Sequence, residues 1–386
     1  MKRVVIIGGG FAGLAAAGEL RGRAEVTLVD RKRTFDFLPM LPDLLSRRLD
    51  PELLEYDLAS LGEALGFRFL NAEVSGVDLA ARSVSTSAGP LPCEFLVAAC
   101  GSETNFYGRD DLRERVLTLD SVADARRILK EIERGGFATA LVVGGGYTGI
   151  ETATNLRRFL PRRRRVMIVE TGPSLVGALP PWMRAYVERN VRAMGIEVVR
   201  GTTLKEMHRR DAVLADGRVV PDALVVWAAG VQTGDAVRRL DAQKAKQGRL
   251  VVDEFLRLCP SPSLAGPRDK RPSPSRGEGE CFVAGDAACV MQGGMPLRMA
   301  VQIALDEGRV AGANVAALIA GRPLRRYRPV DPGWVVPMRN DRSCGKALGF
   351  PVRGFAAIAL HYLMCLVRSA GLARRARMLA QVIARR

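Results

Sequence analysis

A chain of 386 residues with 48% hydrophobic and 26% charged side chains can bury the cores of two to three globular domains, which excludes a disordered or fibrous protein. Its formal charge of +17 attracts polyanions, meaning nucleic acid, anionic lipid headgroups or phosphorylated ligands. The seven cysteines form no CxxC pair and no zinc-type spacing, and their odd number excludes a disulfide framework and implies a reducing, cytosolic setting.

The N-terminus enters its first element within two residues, so no signal peptide is expected. Lys2 to Gly8 carries a β-branched run, Val4 to Ile7, of the kind buried in a parallel sheet. It ends in GGGFAG, Gly8 to Gly13. In such a loop Gly8 permits the tight turn, Gly10 lets backbone approach a pyrophosphate, and Gly13 lets the next helix pack on the strand; Phe11 and Ala12 complete it. An alanine-rich helix from Leu14 to Leu20 follows, its N-terminal amides favouring a diphosphate. The strand Glu25 to Asp30 then places a carboxylate 22 residues after Gly8, near the spacing of about 20 expected for a ribose-binding acid. Cys93 to Gly101 reads as a closing strand of the same unit, ending in Gly101.

The pattern recurs 136 residues on. Ala140 to Val143 is a strand, GGGYTG runs from Gly144 through Gly146 to Gly149, Ile150 to Leu160 is a helix, and Val166 to Glu170 is a strand. A carboxylate at Glu170 accepts from a free 2′-hydroxyl and repels a 2′-phosphate, which favours NADH over NADPH. The basic run Arg162 to Arg165 precedes that strand and reads as a solvated helix-end loop, and Ala223 to Gly230 reads as the matching closing strand. Two such loops on one chain point to two dinucleotides.

Between Cys259 and Glu280 the chain is rich in Pro, Ser, Gly and charge, and is expected to be a disordered surface insertion. Cys281 to Ala288 returns to a strand, with Gly285 and Asp286 near its end, and Met299 to Ala320 reads as a long helix. Phe355 to Val367 is an apolar run of 13 residues, too short for the roughly 20 that span a bilayer. Arg368, Arg374, Arg375, Arg377, Arg385 and Arg386 follow, interleaved with Leu372, Leu379, Val382 and Ile383 at helical spacing. That composition suits a helix lying in a membrane interface, or a core helix with a solvated tail. Only two histidines exist, His208 and His361, and neither sits in a recognised motif, which argues against a metal site and a histidine relay.

These motifs, in this order, resemble the two-dinucleotide-binding-domain flavoproteins related to pyridine nucleotide-disulfide oxidoreductases, and among them the type II (alternative) NADH:quinone oxidoreductases. The resemblance rests on IIGGGFAGL, AACGSETNFYG, VVGGGYTGIE, VVWAAGV and VAGDAA, and covers nearly the whole chain. It implies an α/β protein with two Rossmann-like domains and a C-terminal amphipathic helical membrane-association segment. The implied boundaries are 1–110 and 251–330 for an FAD domain, 111–250 for an NADH domain and 331–386 for a quinone- and membrane-associating segment. Gly8, Gly10, Phe11, Ala12, Gly13, Asp30, Gly101, Gly285 and Asp286 would hold FAD; Gly144, Gly146, Gly149, Glu170 and Gly230 would hold NADH.

By the same resemblance Glu151 matches a glutamate near flavin and nicotinamide, although it is equally a helix N-terminal carboxylate favoured by the dipole. Gln302 keeps the first glutamine of a family AQxAxQEG helix, which by the resemblance lies beside the flavin where nicotinamide and quinone sites meet, whereas Asp306 stands in place of the second. Lys346, in a CGK segment, is a candidate quinone contact or a surface charge. The implied activity passes a hydride from NADH to FAD and two electrons to a membrane quinone, without proton pumping, at the cytoplasmic face of the membrane. NADH, quinone and an anionic membrane surface are the expected partners, a homodimer is admitted, and nucleic acid is less favoured. Glutathione-type disulfide reductases carry a CxxxxC pair after the first loop, and Phe11 to Leu20 contains no cysteine. Sulfide:quinone and ferredoxin-type reductases, and a slow FAD- and NADH-binding protein acting through its basic surface, are the alternatives.

Overall fold

A computed structural model describes residues 1–238, 240–260 and 280–385. The described residues divide into two compact units, each assembled from three stretches of chain. The first comprises Met1–Phe35, Tyr56–Glu103 and Val231–Asp331; the second comprises Asp36–Glu55, Thr104–Gly230 and Pro332–Arg386. The segments 36–55 and 332–386 therefore group with the second glycine loop, and 231–250 with the first, a different partition from the sequential one expected.

In the first unit a parallel sheet runs in the order Glu280–Val283, Phe95–Ala98, Arg3–Ile7, Glu25–Asp30, Arg68–Asn71. The apolar run of its central strand is buried because parallel strands are covered on both faces. Helices Phe11–Leu20 and Val301–Ile319 pack on each other through small residues. A Cβ on Gly308 would lie 2.2 Å from the Ala12 carbonyl oxygen, so only glycine allows this approach. Ala16, Ala311 and Val315 are completely buried in the same core.

In the second unit the parallel order is Glu197–Arg200, Arg165–Glu170, Thr139–Val143, Ala223–Trp227. Helix Tyr147–Phe159 lies on this sheet, and the short, wholly buried helix Leu41–Leu45 packs on that helix. After the sheet come an antiparallel trio, Gly333–Val336, Ser343–Ala347 and Phe350–Gly354, and helices Phe355–Arg368 and Leu372–Ala384. No helix among the described residues is long and apolar enough to cross a membrane.

Two expectations shift. Both post-loop helices begin three residues earlier, at Phe11 and Tyr147, because Gly13 and Gly149 serve close packing inside the helix and do not delay it. Of the stretch expected to be a disordered insertion, 261–279 lies outside the described residues. Its margins are built into structure: Pro260 bridges Ala242, and Glu280 opens a sheet strand.

Candidate functional site

The two glycine loops are alike almost atom for atom. Gly8 and Gly144 adopt φ of +104° and +109°, a region open to glycine, and their amides donate to Val29 and Val169 at 2.8 Å. A Cβ on Gly13 or Gly149 would lie 1.9 Å from the Gly8 or Gly144 carbonyl oxygen. A Cβ on Gly10 or Gly146 would meet nothing within 4 Å. The third glycine is thus demanded by packing, whereas the second borders open space at a helix N-terminus, where amides and dipole favour an anion.

The acid at the end of the second strand repeats too. Asp30 accepts from the Gly9 amide at 2.7 Å and from Lys32 at 2.7 Å. Glu170 accepts from the Gly145 amide at 2.6 Å and from Gly172 at 2.7 Å. Each carboxylate is pinned against its loop, with lone pairs left for a ribose diol. The cradles fit a dinucleotide in each unit.

In the first unit Gly285, at φ +72°, donates its amide to Glu307 at 2.7 Å, and Ser102 donates to Asp286 at 2.7 Å. Burial raises the Asp286 carboxyl above its ordinary range. Glu307 is fully buried with Oε1 lacking a hydrogen-bond partner, and burial pushes its carboxyl up to about 8. It is a functional candidate missed in the sequence, and its place beside glycine in a long apolar helix was the available signal. Gln302 sits in the first turn of that helix and donates to Asp306. Gly101 turns the chain at φ +66° with open space where a Cβ would stand.

In the second unit Tyr147, Glu151 and Asn155 recur at helical spacing on one face of helix Tyr147–Phe159. Tyr147 meets the Trp334 ring edge-on at 5.8 Å between centroids, and Asn155 accepts from the Ser46 hydroxyl at 2.7 Å. Between them, Glu151 keeps some exposed surface, yet dense packing and then the charge of Asp43 hold its carboxyl well above the usual range. Asp43 is 6% exposed and accepts from the Tyr362 hydroxyl at 2.7 Å; Arg48 donates to the same hydroxyl at 2.9 Å. Sequence reasoning missed this group too, although a carboxylate inside FLPMLPDLL breaks an apolar run. Gly230, at φ +141°, stands against Tyr107, whose hydroxyl donates to Ala229.

Lys346 belongs to the same unit, opposite Trp334 in the antiparallel ladder, but it is exposed and its side chain makes no hydrogen bond or ion pair among the described residues. Burial drives His361 down to about 4, leaving it neutral. Burial pushes Cys100 up to about 12 and Cys344 to about 11, so both are thiols at neutral pH and poor nucleophiles.

The basic C-terminal face is less free than expected. Arg374 donates to the carbonyls of Glu52, Leu53 and Glu55, Arg375 to that of Ser369, and Arg385 pairs with Asp50 at 2.8 Å. Phe355, Leu363, Val367, Leu372, Leu379 and Ile383 remain exposed. Arg164 is likewise not simply solvated, since its guanidinium lies 3.9 Å over the Phe137 ring.

Residues 2–265 match the family described as pyridine nucleotide-disulphide oxidoreductase. The chain is 27% identical over 389 residues to the demethylphylloquinone reductase NdbB of Synechocystis sp., covering 95% of this chain and 92% of that protein. It is 24% identical over 385 residues to a type II NADH:quinone oxidoreductase of Staphylococcus saprophyticus, covering 92% and 91%. NDH2 from Plasmodium falciparum in complex with NADH shares the fold, with a TM-score of 0.82 at 14% identity over 99% of this chain and 97% of that one.

Proposed function

From the premise that this chain belongs to the pyridine nucleotide-disulphide oxidoreductase family, we propose that it is an FAD-dependent NADH:quinone oxidoreductase. The observation that carries the reading is the duplicated cradle: two glycine loops with equivalent hydrogen bonds, each closed by a carboxylate, on one polypeptide. The activities named for relatives that align over nine-tenths of the chain support it. The overall reaction is NADH plus quinone plus one proton giving NAD+ and quinol, and bound FAD supplies the two-electron step between them.

The residues divide the work. Gly8, Gly10, Phe11, Ala12, Gly13, Asp30, Gly101, Gly285 and Asp286 would hold FAD, and Gly144, Gly146, Gly149, Glu170 and Gly230 would hold NADH. The open N-terminus of helix Val301–Ile319 places positive dipole density at its first turn, beside Gln302, where it favours negative charge. Dense packing and then the charge of Asp43 raise the Glu151 carboxyl well above the usual range, which favours its acid form as a proton donor to quinone. The exposed apolar side chains of the two C-terminal helices, with Arg377 among them, would dock peripherally on the cytoplasmic membrane face. The buried thiols at Cys100 and Cys344 disfavour a sulfide-linked reaction.

The test is anaerobic rapid mixing. NADH should bleach the flavin absorbance of the purified protein, and a water-soluble quinone should restore it. Flavin that NADH reduces but no quinone reoxidises would overturn the choice of acceptor.

A further inference from the structure

The quinone reaction consumes one proton per turnover, and the second unit contains more acid machinery than one glutamate. Helix Leu41–Leu45 packs on helix Tyr147–Phe159, and the Ser46–Asn155 hydrogen bond fixes their register one turn beyond Glu151. This brings Asp43 close enough for its charge to act on Glu151. Among the described residues, nothing donates to the Glu151 carboxyl or to Asp43 Oδ2, so both carboxyls have an oxygen available for a proton. Asp43 Oδ1 is engaged by Tyr362.

We propose that Asp43 is a positioning residue for proton delivery: its carboxyl and that of Glu151 form a pair holding one proton between them, which leaves through Glu151 when quinone is reduced. The inference rests on the quinone reading above. Like charges confined together do not both ionise, so a close pair of acids at neutral pH retains one proton. When that proton departs to the quinol, the pair becomes doubly negative and regains a proton from water. The charges of Arg48 and Arg339 act on Asp43 and favour its ionised form, which stabilises the transient charge.

The surrounding groups are arranged for this. Arg48 spends its other donors on the Val382 carbonyl, at 2.7 and 3.2 Å, and Arg339 donates to Ser46 at 3.3 Å and to the Arg385 carbonyl. Neither guanidinium donates to Asp43 among the described residues, so neither forces the carboxyl to ionise. On helix Phe355–Arg368, His361 is neutral and burial raises the Cys365 thiol, leaving both without charge at neutral pH. Tyr362 supplies the hydroxyl that favours the ionised form of Asp43.

Two substitutions in the holoenzyme move the pair in opposite directions. Asp43→Asn removes the like charge, so the alkaline limb of quinone-dependent kcat should fall by about one pH unit. Turnover at neutral pH should fall about tenfold, less than the 10²- to 10⁴-fold of a lost general acid, because Glu151 remains. Tyr362→Phe removes the bond that favours ionised Asp43, and the same limb should rise. Ferricyanide, which takes electrons without protons, should be reduced at the wild-type rate by both variants. The protonated-carboxyl infrared band of the resting protein should weaken in Asp43→Asn. Quinone profiles that overlay the wild type, or equal losses with both acceptors, overturn the proposal. A wild-type protein inactive with every quinone instead overturns the quinone reading, and the infrared band then still decides whether Asp43 and Glu151 share a proton.

Discussion

The side-chain amide nitrogen of Gln302 donates to both carboxylate oxygens of Asp306 at 3.0 Å, one turn further along the same helix. Asp306 also holds Arg309 at 3.1 Å, so the glutamine donor is directed along the helix. Asp306→Ala releases it. The KM for a water-soluble quinone should drop about two- to tenfold, the worth of one hydrogen bond of about 0.5–1.5 kcal/mol. Stability should change little, since an i,i+4 pair contributes about 0.2–0.5 kcal/mol. An unchanged KM would remove Gln302 from quinone binding.

On the proposed reading Glu170 would set coenzyme preference, through a carboxylate fixed by the Gly145 and Gly172 amides. Glu170→Gln keeps the shape and removes the charge that repels a 2′-phosphate. The ratio of kcat/KM for NADH over NADPH should fall by at least about tenfold, given about 1.5–3 kcal/mol for a hydrogen bond to a charged group. Parallel steady-state assays with the two coenzymes measure it, and a constant ratio would place the ribose elsewhere.

Glu307 makes stability depend on pH in an unusual direction. Its carboxyl titrates at about 8 in the folded protein against an ordinary 4.5, because burial penalises the charge. Between those values the unfolded chain has released a proton that the folded chain keeps, so stability falls as pH rises. The contribution is complete below about 4.5 and lost progressively up to about 8. Thermal unfolding of the apoprotein should show Glu307→Gln losing less of its Tm than the wild type between pH 5 and pH 8. Parallel slopes for the two proteins would contradict this account.

Membrane docking should depend on apolar contact more than on charge, since Arg374, Arg375 and Arg385 are occupied by the protein itself. Leu372 and Leu379 are exposed on the last helix, and full burial of one leucine contributes about 1.5–3 kcal/mol. Substituting both by Glu should abolish co-sedimentation with anionic vesicles while leaving ferricyanide reduction in solution intact. Retained binding would shift the docking surface away from this helix.

The glycine loops, the acids Asp30 and Glu170 that close them and the parallel strands were legible in the chain, because a phosphate-binding type of turn constrains a few consecutive residues whose spacing survives any packing. Gly13 and Gly149 show the limit even there, since their glycine is required by a carbonyl in contact, which placed the helix start earlier than sequence spacing suggested. Glu307, Asp43 and Tyr362 were not legible. A carboxyl in an apolar stretch has its titration shifted only when other segments desolvate it and supply its neighbours. Asp43 and Tyr362 are 319 residues apart and meet only because the C-terminal helices fold back onto segment 36–55. The sequence by itself thus determined two glycine-loop cradles, each with an acid at the end of its second strand. Tertiary structure alone decided which acids are raised above their ordinary range, because desolvation and like-charge proximity are properties of packing and not of order along the chain.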